Sequence, residues 1–225
     1  MGYDSHVMDS LSGVGVLDKA IAVLRSLEPG PRSLASLVAE TGLSRATAHR
    51  LAVALEAHGL VRRDDEGRFG LGLALIGLGH AAAEAVPGWL DARPALEWLR
   101  DQTGESVQLF VRDGDERVCV ESLDAPHELR TIVPVGARLP LDRGSAGHLL
   151  RPVAGASPPA ASWVESVAER QPGVASVSAP VRDPAGRVIA AVSVSGPIDR
   201  TTRTPGRRYG PAVVEAAARI SAHLA

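Results

Sequence analysis

Ser145, in the run Arg143-Gly144-Ser145-Ala146-Gly147 with His148 behind it, is the residue whose setting most resembles a catalytic nucleophile. A serine elbow needs glycine two positions before the nucleophile, where the chain turns sharply, and Arg143 stands there instead. His148 is too near in sequence to serve readily as the base, and no carboxylate, histidine and serine order completes a triad. The chain is not expected to be an enzyme. Histidines at 6, 49, 58, 80, 127, 148 and 223 show no H-x-x-x-H spacing, and Cys119 is the only cysteine. One chain therefore builds neither a disulfide nor a thiolate metal cage, and no cofactor is expected.

Arginines and hydroxyls form the second group. From Leu43 to Leu71 stand Arg45, Arg50, Arg62, Arg63 and Arg68 against Glu56, Asp64, Asp65 and Glu66, a net excess of one positive charge. The formal charge of the whole chain is −2, which argues against a protein that coats nucleic acid non-specifically. A local patch can still read DNA by placement.

The elements that must carry these arginines follow from periodicity. Residues 16–27 put Val16, Ala20, Val23, Leu24 and Leu27 on one side of a helix, which Pro29-Gly30-Pro31 stops. Ser33 caps a short helix whose Leu34, Leu37 and Val38 face inward, and Gly42 suits its left-handed C-cap. Ser44 caps a third helix with Ala48, Leu51, Ala52 and Leu55 inside and Arg50 nearly opposite. The segment LVRRDDEGRFGL then reads as a hairpin with arginines on both arms.

Taken singly, a Leu/Ala helix is ordinary core packing and a hairpin is an ordinary surface turn. The ordered set of capped helix, glycine turn, capped helix and arginine-bearing hairpin is more specific and reads as a winged helix-turn-helix. On that reading Thr47 and Arg50 meet base edges in the major groove, with Ser44 and Arg45 steadying the helix on phosphate. Arg62, Arg63 and Arg68 meet the backbone or minor groove from the wing, and Ser33 joins them as a further DNA-side hydroxyl.

The next segment, LALIGLGHAAAEA, is helical and rich in small residues, and Pro87-Gly88 ends it. Residues 89–103 form a helix with Leu90, Leu96 and Leu99 inward. Strands follow at 106–112, 117–122 and 131–135, then a pair at 174–181 and 188–195 joined by the RDPAGR turn, and a closing helix at 209–224. Helices flanking a largely antiparallel sheet make this second part α+β. Residues 151–162 are too rich in Pro, Ala and Ser for regular structure.

Serines make the third group. In RVIAAVSVSG, period 2 puts Ile189, Ala191, Ser193 and Ser195 on one face and Val188, Ala190, Val192 and Val194 on the other. Ser176 and Ser178 share a face of the preceding strand. Periodicity alone leaves open whether these hydroxyls face water or line a pocket for a small polar ligand.

Totals agree with two soluble domains: 225 residues, 45% hydrophobic and 22% charged, with no apolar run approaching a membrane span. Only Lys19 among the 24 basic residues is lysine. The N-terminal MGYDSHVMDSLSG carries acids and no positive n-region, and is expected to be a frayed tail of a cytoplasmic protein.

On these residues the chain resembles the IclR type of bacterial transcription factors. GVGVLDKAIAVLRSL, LASLVAETGLSRATAHRLAVALEAHGLVRRD and GRFGLG are similar to its winged helix-turn-helix, and RLPLDRGSAGHLL and GVASVSAPVRDPAGRVIAAVSVSGPI to its effector domain. The likeness runs from about residue 13 to the end. GVASVSAPVR and SVSGPI further resemble actinobacterial members linked to leucine and other amino-acid biosynthesis genes.

The resemblance implies a tail at 1–12, a winged helix-turn-helix domain at 13–71, a linker helix at 72–88 and a GAF-like effector domain at 89–225. It also implies homodimers or dimers of dimers on double-stranded operator DNA, and a small-molecule effector touching Leu139, Ser145, Ala146, Ser166, Ser176, Ser193 and Ser195. The chain departs from the family at 151–162, where other members carry more helix. An effector-independent regulator whose second domain serves only oligomerisation is the alternative.

Overall fold

The computed structural model describes residues 12–86, 89–152 and 162–224. The chain divides after Ala83 into two compact units. Residues 1–11 of the expected tail and the Pro87-Gly88 break lie outside the described residues, as do residues 153–161 of the expected loop and the side chain of Leu90.

In the first unit, α1 (Gly15–Ser26), α2 (Leu34–Thr41) and α3 (Arg45–Ala57) precede a two-stranded antiparallel wing, β1 (Val61–Arg63) and β2 (Phe69–Leu71), and then α4 (Ala74–Glu84). Val23, Leu27, Leu37, Leu51, Ala52, Leu55, Val61 and Phe69 form its core. Gly42 ends α2 at φ 66°, a conformation that costs glycine nothing. Val16, expected on the inner stripe, is instead 65% exposed. It lies two turns before Val23, past the edge of what α2 and α3 cover.

The second unit is a six-stranded antiparallel sheet in the order β5-β4-β3-β8-β7-β6. Its strands are β3 (Ser106–Asp113), β4 (Glu116–Leu123), β5 (Arg138–Pro140), β6 (Val164–Val167), β7 (Val174–Arg182) and β8 (Val188–Pro197). On one face pack α5 (Trp89–Thr103) and α8 (Pro205–Ala222), and on the other the short α6 (Ser145–Leu150). A four-residue helix, α7 (Ile198–Thr201), follows β8. Along α8 the buried Tyr209, Val213, Ala216, Ala217 and Ile220 recur at helical spacing and form one face. Trp163 lies against this helix where only glycine leaves room: a Cβ at Gly206 would overlap its indole, and one at Gly210 would come within 2.7 Å.

Three expectations are corrected. Residues 131–135 are not a strand, because Pro134 can neither donate to a ladder nor leave its fixed φ. The chain joins the sheet only from Arg138, through β5 on β4. Within β8 the alternation also breaks: Val181 faces Ala190 while Arg182 faces Val188, so Ile189 is a bulge. Ile189 and Ala190 both pack toward α5 and α8, whereas Val188 and Ala191 pack toward α6. The last helix begins earlier than expected, with Pro205 in its first turn, where the missing N–H goes unused.

Candidate DNA-binding face and effector pocket

Helix α3 has one committed face. Ala48, Leu51, Ala52 and Leu55 are buried, and each leucine contributes about 1.5 to 3 kcal/mol on burial. Ser44 caps the helix, its Oγ accepting from the Thr47 N–H at 3.3 Å and donating to Thr47 Oγ1 at 2.9 Å. Ser33 caps α2 in the same way, accepting from the Ser36 N–H at 3.2 Å. Arg45 and Arg50 are exposed, half-buried Thr47 lies beside them, and neither guanidinium has a partner among the described residues.

The three wing arginines differ. Arg62 is exposed and unpartnered among the described residues. Arg63 lies 4.4 Å over the Phe69 ring and donates to Glu56 at 3.2 Å. Arg68 is clasped: its backbone N–H and its Nε donate to the two oxygens of Asp64, each at 2.7 Å, and its Nη2 reaches Glu66 at 3.0 Å. The Asp64 carboxylate raises the Arg68 pKa further above its ordinary value. The same turn recurs in the other unit, where Arg187 donates through its backbone N–H at 2.9 Å and its Nε at 2.6 Å to Asp183. Both turns read Asp-x-x-Gly-Arg, and both close with a glycine N–H on the aspartate carbonyl. The Arg68–Asp64 clasp is therefore a way of making a tight hairpin, independent of what the hairpin touches.

On the sheet face beneath α6, polar side chains form two rows across the strands. The register places Ser166, Ser176, Ser195 and Ser106 side by side on β6, β7, β8 and β3, and Ser178, Ser193 and Gln108 in the row beside them. These serines do not face water: Ser178 is fully buried, and Ser193 and Ser195 are nearly so. From above, Ser145 Oγ bonds both Ser176 and Ser178 at 2.7 Å. Ser195 donates to Gln108 Oε1 at 3.0 Å.

A cavity lies between these rows and α6. All seven residues that the family resemblance suggested line it: Leu139, Ser145, Ala146, Ser166, Ser176, Ser193 and Ser195. Its volume is about 30 Å³, space for about one water. Polar side chains of the lining that were not anticipated are those of Gln108, Arg117 and Arg170. Gln108 was legible, since SVQLF alternates and puts Ser106 and Gln108 on one side. Arg117 is buried, donating to the Arg143 carbonyl at 2.8 Å and to that of Pro140. Burial, and then the charge of Arg170, pull its pKa down to about 10, so it stays charged at neutral pH.

The rim is latched. Glu169 accepts from the Gly144 N–H at 2.8 Å and meets His148 Nε2 at 2.7 Å, tying α6 to the segment after β6. Partial burial opposes its ionisation, but these two partners outweigh it and hold the carboxyl below its usual range. Among the described residues no cluster of His, Cys, Asp and Glu could hold a metal, and no helix is long and apolar enough to cross a membrane.

Two family models match the chain. The IclR helix-turn-helix domain covers residues 16–65, and the bacterial transcriptional regulator IclR C-terminal domain covers 89–155 and 160–222. The glycerol operon regulatory protein of Streptomyces griseus is 29% identical over 245 residues, spanning 92% of this chain and 95% of its own. The structure of Thermotoga maritima IclR superposes with a TM-score of 0.73 at 22% identity, over 93% of this chain and 98% of that one. An IclR homolog from Microbacterium hydrocarbonoxydans, solved in complex with 4-hydroxybenzoate, gives 0.72 at 21% identity and the same coverage. With both domain models matched in order along most of its length, the chain belongs to the IclR family of bacterial transcriptional regulators.

Proposed function

We propose that α3 lies in the major groove of an operator, with Thr47 and Arg50 at base edges and Ser44, Arg45 and Ser33 beside phosphates. One observation carries this: a helix whose inner face is fully spent on the core presents two unpartnered arginines outward, beside a hairpin wing. On the wing, Arg62 is the foremost phosphate contact, with Arg63 and Arg68 adding charge while bracing the turn. Large apolar side chains left exposed on α1 (Val16, Leu17, Ile21) and near α4 (Leu73, Ile76, Leu78) support self-association as a homodimer, singly or in pairs.

The cavity under α6 is the effector site on this reading, and Leu139, Ser145, Ala146, Ser166, Ser176, Ser193 and Ser195 are its contacts. The fold shared with a homolog that binds 4-hydroxybenzoate supports it. The motifs GVASVSAPVR and SVSGPI support a place in amino-acid metabolism, and the protein acts where the chromosome is, in the cytoplasm. A second reading is favoured by the cavity's small volume: the second unit serves only oligomerisation, and DNA binding is constitutive.

Footprinting on the gene's own upstream region tests the DNA reading. A bidentate arginine contact discriminates by about 1 to 3 kcal/mol, so Arg50→Ala relaxes sequence preference. Equal footprints for variant and wild type would sink the assignment.

A further inference from the structure

We propose that Val53 reads the 5-methyl group of a thymine beside the base that Arg50 contacts, which makes it a specificity-determining residue of the operator-binding face. This rests on the DNA reading above and adds to it which feature of the operator the helix selects.

On α3 the buried Ala48, Leu51, Ala52 and Leu55 fix the inward direction. At about 100° per residue, Ala46, Arg50, Val53 and Ala57 all lie within roughly 30° of the opposite direction. All four are exposed. From Leu34 to Leu71, a span that holds α2, α3 and the wing, Val53 is the one large apolar side chain left exposed, at 39%. A single exposed valine is ordinary on a protein surface; this one stands in line with Arg50. It joins no core cluster. Valine is also a poorer helix former than alanine, arginine or glutamate, so α3 gains nothing from it at an exposed position.

A second copy of the chain and DNA are the two partners to weigh for this stripe. A two-fold interface centred here would set Arg50 of one protomer against Arg50 of the other. Apolar side chains suited to self-association stand elsewhere, on α1 and near α4. DNA meets both characters of the stripe, because its charge suits Arg50 and the thymine methyl is the apolar group on the floor of the major groove. A stripe facing phosphates would carry cations along its length, whereas this one carries one cation flanked by Ala46, Val53 and Ala57. Ala46, with a single methyl, lets the helix come close. Val53 follows Arg50 by three residues, about 4.5 Å of axial rise. The thymine therefore lies within about two base steps of the base that Arg50 contacts, each step being about 3.4 Å.

Methyl deletion on the DNA tests this directly. Each thymine of the footprinted operator is replaced in turn by deoxyuridine, which pairs identically with adenine and lacks only the 5-methyl group. Affinities are measured by fluorescence anisotropy for the full-length wild type and Val53→Ala. At one thymine in each half-site, wild type loses about three- to fivefold, the contribution of one buried methyl. With both half-sites changed, the losses multiply to roughly 10- to 25-fold in the proposed homodimer. Val53→Ala binds the thymine and uracil operators alike, because the methyl has lost its partner. Alanine is the better helix former, so α3 stays folded in the variant.

Sensitivity to methyl loss at no thymine within two steps of the base lost in Arg50→Ala would overturn the proposal. So would the same sensitivity in Val53→Ala as in wild type. A change in self-association of Val53→Ala, measured by sedimentation without DNA, would assign the side chain to a protein interface instead. In each of these cases a footprint that depends on Arg50 leaves the DNA reading standing. Failure to protect any upstream sequence would remove that reading and this proposal together.

Discussion

Replacing Arg62 and Arg68 separately by alanine separates a wing arginine that is available to DNA from one that is occupied. Each phosphate contact contributes about 0.9 to the slope of log affinity against log salt on duplex DNA. In the proposed homodimer the loss of Arg62 removes two contacts, so the slope falls in magnitude by about 1.8, and over a fourfold rise from about 50 to about 200 mM salt the affinity drops about 12-fold less than for wild type. Arg68 donates to Asp64 through two groups and to Glu66 through a third, and its equivalent Arg187 makes the same clasp in the other unit. Arg68→Ala therefore changes the slope by much less, and its main effect is a looser wing turn. Fluorescence anisotropy on an operator fragment across a salt series measures both slopes. If Arg68→Ala flattened the salt dependence by nearly two units while Arg62→Ala left it unchanged, the inference from side-chain engagement to DNA contact would be refuted.

Two further outcomes follow from packing and titration. Gly206→Ala forces a methyl into the Trp163 ring and lowers stability by about 1 to 3 kcal/mol; denaturant melts should show Trp163→Ala removing most of that penalty in the double variant, and simple additivity would exclude the contact as its cause. Because the folded-state pKa of Glu169 is depressed, its contribution is present above the ordinary carboxylate value of 4.5 and is lost as pH falls through the lower folded value. At a side-chain exposure of 38% the effect is small, below about 1 kcal/mol. Thermal melts at acid pH should be shallower for Glu169→Gln than for wild type, and identical profiles would dismiss the latch.

The N-terminal unit was largely legible in the sequence because its signals are local. Ser33, Gly42 and Ser44 act within one turn of themselves, and the inner positions of α3 follow from spacing alone. The second unit was legible where strands are long and alternating, and failed where an event depends on a partner strand. The bulge at Ile189 reverses the facing of Val188 against Ala191, and nothing in RVIAAVSVSG marks it. β6 is only four residues long, and its placement at the sheet edge comes from pairing with β7.

The site divides similarly. The serines came from motif and period, but Arg117 sits in a strand whose sequence gives no sign that its side chain turns inward, because an arginine in RVCV reads as solvent-facing. Its burial depends on a distant glycine: a Cβ at Gly147 would overlap its guanidinium. On α3, which face packs inward depends on neighbours in space. Leu51 and Leu55 meet Val23 and Leu37 from other helices, which leaves Arg45 and Arg50 facing outward.

Cys119 packs in the cluster beneath α6, wholly buried, and burial followed by the charge of Glu121 pushes its thiol up to about 12. At pH 8 roughly one molecule in ten thousand carries the thiolate, the only form that attacks a maleimide. The protein is thus naturally silent to thiol labelling. A cysteine placed at exposed Asp65, on the turn between β1 and β2, would take a fluorophore or spin label alone. Distances between two such labels in a self-associated form could then be followed in solution as operator DNA is added, with no native residue to remove first.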